Sequence, residues 1–401
     1  MMDYTLFGES HGPLVGVLLR GVPAGLPVNE DFIRSQLLRR AARGPLATAR
    51  QEEDRPELLS GVYRGFTTGD PICIVLRNRD VRSADYEALR HTPRPGHADY
   101  TAWLRSDGHN DPRGGGHFSG RLTAPLTAAG AMALTWLKAQ DIKIKAQLID
   151  ETALLQRVAE VKAEGDSVGG QIRCTVTGLP AGLGGPDWRE ALESELARHI
   201  FAIPAVKALG FGDGEALAHM RGSRANDPLR TDGSRIWAVS NHNGGINGGI
   251  SNGMPLCFTV TFKPTPSIAR EQETVALDTM ENCSITVTGR HDPCIALRSA
   301  PIVEAVTALA LWRLLEPAGD DPEALRGQID ETDRELVALF LRRQELARRM
   351  GEYKRAHDLP VRDEAREAEV LRSRGDLAPE QRCAVERLFE TLMELSREVQ
   401  T

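Results

Sequence analysis

Histidine or arginine lies near glycine in five short segments of the first three quarters of the chain. The segments span residues 7–12, 94–99, 113–121, 241–253 and 289–293. Glycine lets the backbone approach a ligand closely and turn its N–H groups toward an anion, and the cationic side chains neutralise phosphate or carboxylate charge. Together the segments predict a site for a large anionic ligand with a cofactor beside it.

Each segment also has an ordinary structural interpretation. A Gly-rich loop such as residues 241–253 is often only a series of tight turns, and an isolated histidine is more often structural than catalytic. A basic cluster such as that at residues 39–50 is typical of a solvated helix end. His11 and His97 favour the functional interpretation, because each lies in a Gly-flanked polar loop where no helix face needs packing.

The elements that must position these segments are short β-rich runs, Gly, Pro and Asn turns, and a few helices. The predicted strands cover residues 16–20, 71–76, 171–176 and 255–262, and the predicted helices cover 30–40, 124–139, 187–199 and 302–315. This mixture predicts an α+β domain of layered sheets and helices over residues 1–315. Residues 316–322, which are rich in Pro, Gly and Asp, form a predicted linker to a second domain at 323–401.

The composition changes sharply near residue 320. Charged residues make up about 43% of the chain from Asp320 onward and about 22% before it, whereas only 3 of the 38 glycines lie in this tail. Apolar residues recur there at helical spacing, at Leu325, Ile329, Leu336, Leu339, Leu346 and Met350. Two shorter helices are predicted at 362–374 and 380–400. Because three helices of one chain cannot bury such a stripe, we expect the tail to dimerise.

Two cations, Arg343 and Lys354, interrupt this apolar stripe, because 11 residues of helix return to nearly the same face. A cation on a core-facing surface is costly unless an anion pairs with it, so the pattern indicates an anionic ligand. Arg326 points about 100° away on the same helix, so a second chain would have to supply that residue to the same ligand. Snorkelling of either side chain, and a coiled-coil element with a solvated charged surface, remain as alternatives.

The overall composition excludes several classes of protein. No apolar run approaches the roughly 18 residues of a membrane-spanning helix, and the N-terminus lacks a basic region followed by an apolar one, so we expect a cytoplasmic protein. The 6 cysteines include no CxxC pair, which argues against a zinc site or a disulfide framework, and we expect no metal. A formal net charge of −7 argues against a broad nucleic-acid surface.

Six motifs carry a resemblance to a known family. FGESHG, RPGHADYT, RGGGHFSGR, NGGINGGISNG, FKPTPSI and GRHDPC resemble chorismate synthase, in the same order and across essentially the whole first domain. The resemblance implies a β-α-β sandwich, usually a homotetramer, that binds reduced FMN (FMNH2). The implied activity is that of a lyase that acts in aromatic amino acid biosynthesis, and the implied protein is a flavoprotein. Its reaction is anti 1,4-elimination of phosphate from 5-enolpyruvylshikimate 3-phosphate.

The resemblance also implies roles for the matching positions. His11 matches the histidine that protonates the flavin, His97 the histidine near the leaving phosphate, and Asp292 the acid that helps the flavin act as a base. The arginines that would hold the phosphate and the two carboxyl groups are Arg39, Arg40, Arg50, Arg94, Arg121 and Arg290, of which the last also reaches FMN. The other FMN contacts would be His117, Phe118, Ser119, Pro204, Ala205, Gly248, Lys263, Pro264, Thr265, Pro266 and Ser267.

Two features of the first domain depart from the family's pattern. His117 and Phe118 stand where Arg and Ser are more common in the family, so the flavin contacts there would differ from the usual ones. The stretch after Arg40 leaves open whether Arg43 replaces a substrate-binding cation. No GxGxxG motif lies between a predicted strand and helix, so we predict that an external flavin reductase supplies reduced FMN and that this chain does not oxidise NADPH.

The tail resembles the all-helical chorismate mutase family over its full length. That resemblance implies an isomerase, built as an intertwined dimer of three-helix chains, that rearranges chorismate to prephenate. The Claisen rearrangement requires only that the compact conformer be held and that charge on the ether oxygen be stabilised. The partner's Arg326, with Arg343 and Arg366, would grip the two carboxylates. Lys354 and Gln400 would serve the ether oxygen, and Asp363, Glu367 and Ser396 would orient the substrate hydroxyl and the arginines.

The two resemblances together predict a bifunctional shikimate-pathway enzyme in which the product of the first domain is the substrate of the second. One alternative retains the synthase and makes the tail a catalytically idle regulatory module. A second alternative makes the tail an oligomerisation element. Turnover of chorismate by the tail distinguishes the prediction from both.

Overall fold

The computed structural model describes residues 2–41, 44, 46, 52–80, 90–234, 236–287, 291–315 and 322–400, with only the backbone described for 322–328, 331 and 335. The chain divides into two compact units, Met1–Pro317 and Ala318–Thr401. Arg43, Arg50, Arg290 and residues 316–321 of the predicted linker lie outside the described residues, as does the side chain of Arg326.

Antiparallel sheets make up much of the first unit. Its strands are β1 (Asp3–Gly8), β2 (Leu14–Arg20), β3 (Glu57–Ser60), β4 (Val62–Tyr63), β5 (Phe66–Thr67), β6 (Ile72–Arg77), β7 (Lys143–Leu148), β8 (Gly170–Thr177), β9 (Val206–Phe211), β10 (Leu229–Thr231), β11 (Ile236–Ala238), β12 (Ile246–Asn247), β13 (Ile250–Ser251), β14 (Leu256–Phe262), β15 (Glu271–Ala276) and β16 (Glu281–Thr286). They form two four-stranded sheets, ordered β1–β2–β6–β3 and β7–β8–β14–β9, together with two-stranded hairpins. Every paired neighbour is antiparallel.

The alternation of side chains explains how the second sheet faces the core. Leu256, Phe258, Val260 and Phe262 of β14 are buried, and the residues between them are only partly buried. This period of two places one face of the strand against the helices. The predicted strand at residues 255–262 therefore forms as expected from its hydrophobic and β-branched residues.

A helical layer fills the space between the sheets. The helices of this unit are α1 (Glu30–Arg40), α2 (Asp99–Ser106), α3 (Thr123–Ala139), α4 (Glu151–Ala163), α5 (Leu192–Ile200), α6 (Gly222–Ala225) and α7 (Ala300–Leu315). Helix α3 packs against β2 and β6 of the first sheet, α7 packs against β7 and β8 of the second, and α3 and α7 pack against each other. The axes approach closely at Gly130, where a Cβ atom would overlap Ala305. This arrangement is the predicted β-α-β sandwich.

One predicted helix begins later than expected. Helix α5 begins at Leu192, five residues after the predicted start at Asp187. The carbonyl of Asp187 instead accepts hydrogen bonds from the backbone N–H groups of Glu190 and Ala191, at 2.9 Å each. These bonds close a separate turn before the helix, which the amphipathic pattern alone does not show.

The second unit is helical. It contains α8 (Pro322–Ala356), α9 (Glu364–Gly375) and α10 (Arg382–Glu398), and α10 packs against both of the other helices. Helix α8 has 35 residues and is therefore about 52 Å long. Ile329, Leu336, Leu339, Leu346 and Met350 on α8 are at least half exposed in the single chain. No helix among the described residues is both long and apolar enough to span a membrane.

Candidate active sites

A single large cleft in the first unit gathers most of the predicted site residues. Its volume is about 1080 Å³. Its walls come from the end of α1 and from loops at 52–54, 94–98, 114–123, 201–207, 263–267 and 291–298. These loops include three of the five Gly-rich segments in whole or in part, whereas the segments at 7–12 and 241–253 lie outside the lining. Side chains far apart in sequence are thus brought to one site.

Two buried arginines share one carboxylate at this cleft. Arg40 donates to Asp54 Oδ2 at 3.1 Å, and Arg121 donates to Asp54 Oδ1 in a close ion pair. All three side chains are 4–5% exposed. Burial lowers the pKa of Arg40 to about 9 although Asp54 opposes the shift, and the charges of Arg298 and Arg121 lower it further. Positive charge is therefore concentrated where an anionic ligand can replace or join a single protein carboxylate.

Three consecutive glycines hold the two predicted catalytic histidines against one turn. Gly114, Gly115 and Gly116 all have positive φ, a conformation that side chains disfavour. A Cβ atom on Gly114 would overlap the ring of His11, and one on Gly115 would lie 2.9 Å from Cε1 of His97. Both imidazoles thus pack directly on this backbone. His97 lines the cleft, whereas His11 is buried behind Gly114.

His97 belongs to a hydrogen-bonded cluster with Asp99 and Arg94. Its Nδ1 lies 2.5 Å from Asp99 Oδ1. Arg94 donates to both oxygens of the same carboxylate, at 2.7 and 2.8 Å, and to Ser267 Oγ at 3.0 Å. Burial works against ionisation of Asp99, but the hydrogen bonds from Arg94 and His97 prevail and hold its pKa well below the usual value. Arg94, predicted to bind substrate, is therefore bonded first to protein groups.

Asp292 also has a cationic neighbour that the sequence did not single out. Arg298 Nη2 lies 2.5 Å from Asp292 Oδ2, and both residues line the cleft. Arg298 follows Asp292 by six residues on the 3₁₀ turn Ile295–Arg298, so the two side chains meet locally. A weak signal was available, since a basic residue followed the GRHDPC motif in sequence, but its orientation depends on the turn.

Most predicted flavin-binding residues line the same cleft. These are His117, Phe118, Ser119, Pro204, Ala205, Lys263, Thr265, Pro266 and Ser267, and Lys207 joins them without having been predicted. The backbone at Ala205 is strained, with φ of 71°, and its carbonyl accepts from the N–H of Lys263 at 2.9 Å. Pro264 and Gly248 are not among the lining residues.

Gly248 lies in the β12–β13 hairpin of the Gly-rich segment at 241–253. Asp227 organises this segment, because its carboxylate accepts from Ser240 Oγ at 2.7 Å and from the backbone N–H groups of His242 and Asn243. Burial opposes ionisation, yet the hydrogen bond from Asn243 Nδ2 at 2.9 Å, together with those above, lowers the pKa of Asp227 to about 2. The loop is thus held by a fixed anion outside the cleft.

Arg39 points to a different environment from Arg40. It donates to Glu304 Oε2 at 2.5 Å and Oε1 at 3.0 Å. The buried Glu304 also accepts from the backbone N–H of Ala146 at 2.9 Å, and so ties α1, α7 and β7 together. The structure therefore does not bring Arg39 to the cleft lining, although sequence reasoning grouped it with the substrate-binding arginines.

In the second unit, two predicted residues meet between α8 and α10. Arg343 donates to the carbonyl of Leu392 at 2.7 Å and makes a short hydrogen bond to Ser396 Oγ. Burial lowers the pKa of Arg343. Lys354 donates to the carbonyl of Val361 at 2.6 Å, which ties the end of α8 to the loop before α9. Both cations on the apolar stripe thus find neutral acceptors within one chain.

The other predicted mutase residues have separate partners. Asp363 caps α9 by accepting from the backbone N–H of Arg366 at 3.0 Å, and the exposed side chain of Arg366 pairs with Glu369 at 2.6 Å. Glu367 pairs with Arg397 at 2.6 Å, a cation that the sequence analysis did not identify. Its position directly after Ser396 was the available signal.

Gln400 follows the end of α10 and lies against Gly351 of α8. A Cβ atom on Gly351 would lie 2.7 Å from Cα of Gln400, so only glycine permits this approach. The buried Oε1 atom of Gln400 has no hydrogen-bond partner among the described residues of this chain. Because buried polar atoms normally have a partner, this amide oxygen is suited to accept a hydrogen bond from a ligand or a second chain.

Comparisons with known proteins agree with this arrangement. The family description "Chorismate synthase" matches residues 2–315, and "Chorismate mutase type II" matches residues 325–401. The chain is 43% identical over 338 residues to a chorismate synthase of Thermococcus gammatolerans, covering 78% of this chain and 95% of that protein. It is 46% identical over 343 residues to a chorismate synthase of Aeropyrum pernix, covering 78% and 90%.

A solved structure supports the fold independently. A crystal structure of chorismate synthase aligns with a TM-score of 0.61 and 24% identity, covering 83% of this chain and 98% of the other. The β-α-β sandwich described above is therefore an architecture already known from a solved structure. The chain therefore belongs to the chorismate synthase family and carries a type II chorismate mutase domain behind it, the domain pair of a bifunctional shikimate-pathway enzyme.

Proposed function

We propose that the first unit eliminates phosphate from 5-enolpyruvylshikimate 3-phosphate with the aid of reduced FMN, and that the second unit rearranges the resulting chorismate to prephenate. The observation that carries the first step is the pair of buried guanidinium groups, Arg40 and Arg121, in the same cleft as His97. A substrate with one phosphate and two carboxylates needs concentrated positive charge near a proton donor.

The residues of the cleft fit reduced FMN beside the substrate. Its volume of about 1080 Å³ exceeds the upper end of single-ligand pockets, about 1,000 Å³. Lys207 and Lys263 supply positive charge for a ligand phosphate, and the loops at 117–119, 204–205 and 265–267 supply backbone polar groups and apolar surface. When bound, reduced FMN lends electron density to the substrate and takes it back, so that the reaction is redox-neutral overall.

The residues of this chain have separable tasks in the elimination. Arg40 and Arg121 hold anionic groups of the substrate and stabilise the charge that grows on the departing phosphate. His97 carries the proton for that phosphate, because its ring lines the cleft. Asp292, fixed by Arg298, would help the flavin to act as the base that removes the C6 proton, and His11, packed behind Gly114, would protonate the flavin. None of these tasks requires a metal ligand.

The synthase assignment is tested by replacing the histidines. His97→Ala and His11→Ala should retain FMN binding, measured by fluorescence quenching of the flavin, and should lose most turnover under anaerobic reducing conditions. His219→Ala, on a 3₁₀ turn outside the cleft lining, is the matched control and should behave as the unmodified chain. Rates at the unmodified level in both test variants would contradict the assignment.

The mutase proposal rests on Arg343 and Ser396, which the fold of one chain already joins. Arg343 would grip a carboxylate together with Arg366 and the partner's Arg326. Lys354 would donate to the ether oxygen with Gln400 beside it. Glu367 and Asp363 would orient the substrate hydroxyl and the arginines. Catalysis then consists of holding the compact conformer, because the rearrangement itself needs no acid or base.

A dimer of the second unit belongs to the same proposal. The apolar residues exposed along α8 form a surface that a second copy would bury, and about 25 cal/mol is gained for each Å² removed from water. We propose dimeric mutase units on a homotetrameric synthase, in the cytoplasm, with an external flavin reductase as the source of reduced FMN. Rapid oxidation of NADPH by the purified chain with FMN would contradict the last point.

Chorismate supplied to the full chain without flavin tests the mutase step alone. Prephenate should form, and Arg343→Ala should abolish most of that activity. Arg348→Ala is the matched control, because Arg348 lies on the same helix but pairs with Glu345 and Glu352 at the surface. Absence of prephenate from a folded chain would favour a regulatory or oligomerisation role for the tail.

A further inference from the structure

We propose that Asp99 is a positioning residue for His97. It fixes the proton on Nδ1 and the orientation of the ring, so that Nε2 can donate a proton to the leaving phosphate. The inference deepens the proposed synthase function and rests on it. Asp99 was absent from the residues predicted from sequence. It is the first residue of α2 and lies two residues after His97 in the RPGHAD segment.

The geometry of the ring assigns a role to each of its nitrogens. Asp99 Oδ1 lies 2.5 Å from Nδ1, and an ionised carboxylate can only accept a hydrogen bond. The proton shared in this contact therefore resides on Nδ1. Nε2 is left to carry the second proton of the cationic ring and to give it to a ligand in the cleft that His97 lines, after which the ring is neutral and keeps the Nδ1 proton. Gly115, without a side chain, leaves room for this edge of the ring: a Cβ there would lie 3.1 Å from Nε2.

Arg94 keeps the carboxylate ionised and immobile. Its guanidinium binds both oxygens, at 2.7 and 2.8 Å, and its backbone N–H donates to Oδ2 at 3.1 Å. The hydroxyl oxygen of Ser267, a residue distant in sequence, accepts from Nη1 of the same guanidinium at 3.0 Å. Against the effect of burial, the hydrogen bonds of Arg94 and His97 hold the pKa of Asp99 well below its usual value. Asp99 is thus a fixed acceptor and not itself a proton donor.

This arrangement differs from a purely structural ion pair in one measurable way. A structural pair affects every property that depends on the local fold, including flavin binding and substrate affinity. A residue that acts through His97 affects the chemical step alone, and its effect disappears when the imidazole is absent. Residues that act as one unit show such non-additive losses.

The test is a double-variant cycle in the full chain. Asp99→Asn retains the shape of the side chain and removes its charge. We expect it to lower kcat about 100-fold, by analogy with other residues that orient a functional histidine, while KM and the Kd of FMN change less than about threefold. In the His97→Ala background, Asp99→Asn should change kcat by less than about twofold. Asp107→Asn, at the exposed C-terminal end of α2, is the matched control with no expected effect.

Each outcome decides the inference. The inference would be overturned if Asp99→Asn kept more than half of the original kcat. It would also be overturned if Asp99→Asn lowered kcat by the same factor with and without His97. The proposed synthase function would stand in both cases. An unimpaired His97→Ala would overturn the inference together with the acid role assigned to His97. If Asp99→Asn does not fold, Asp99→Asn with Arg94→Gln removes both buried charges and takes its place in the cycle. The comparison with and without His97 is then read in the same way.

Discussion

Asp54 is the counter-ion of the two arginines in the cleft, and its replacement gives the most quantitative prediction. Asp54→Asn keeps the shape of the side chain but leaves the buried guanidinium groups of Arg40 and Arg121 without their shared anion. Removal of one partner from a buried ion pair costs about 3–5 kcal/mol. Because about 2 °C of melting temperature corresponds to 1 kcal/mol in a domain of this size, we expect Tm to fall by about 6–10 °C.

An anion added to the variant should reverse this loss. Inorganic phosphate can occupy the position between the guanidinium groups that the carboxylate has left. A ligand at 100 times its Kd stabilises a folded protein by about 2.7 kcal/mol, or about 5 °C on the same scale. The unmodified chain should gain less, because phosphate there competes with Asp54 for the same donors.

Differential scanning calorimetry with and without phosphate measures both effects. Glu57→Gln is the matched control: it makes the same charge change in an ion pair with Arg77 that solvent screens, so its loss should change Tm little. An Asp54→Asn variant with the Tm of the control would refute the reasoning. A larger gain from phosphate in the unmodified chain than in the variant would refute it as well.

Three further predictions follow from the packing. Gly115→Ala should lower kcat at least 10-fold by displacing the imidazole beside it, whereas Gly25→Ala, at nearly the same φ but with open space around it, should cost only stability. Burial opposes the ionisation of Glu195, but hydrogen bonds from His199 and Arg198 prevail and lower its pKa to about 2. The contribution of the ionised Glu195 to stability is complete above its unfolded pKa near 4.5 and is lost as the pH falls toward 2. Glu195→Gln should therefore lose less stability than the unmodified chain between these pH values, as measured by acid unfolding followed by circular dichroism. Arg39→Gln should lower Tm, because it breaks the pair with Glu304, and leave the substrate KM within about twofold; a large rise in KM would return Arg39 to the binding site.

The hydrophobic patterns were sufficient to predict the two central strands of each four-stranded sheet and most of the helices, but not the edge strands or the short hairpins. The strand at Leu256–Phe262 follows from its alternation, and α1 ends at Arg40 as predicted. The start of α5 could not be predicted, because it depends on the turn at Asp187. Patterns of burial indicate which face of an element is covered, but local hydrogen bonds determine where an element begins.

The site was predictable by residue type and less so by partner. The Gly-rich segments identified His97, yet Gly114 and Gly115, which pack against the histidines, were interpreted only as part of a ligand loop. Neighbouring Arg39 and Arg40 look equivalent in sequence, but successive helix residues point about 100° apart, and only Arg40 faces the cleft. Asp54, which pairs with Arg40, required tertiary contacts that no spacing reveals.

The central claim is that one chain performs two consecutive steps, and a single product analysis tests it. The full chain is supplied anaerobically with 5-enolpyruvylshikimate 3-phosphate and reduced FMN, and chorismate and prephenate are quantified over time. The unmodified chain should release phosphate and form prephenate, whereas Arg343→Ala should release phosphate at the same rate and stop at chorismate. Accumulation of chorismate without prephenate by the unmodified chain would contradict the claim.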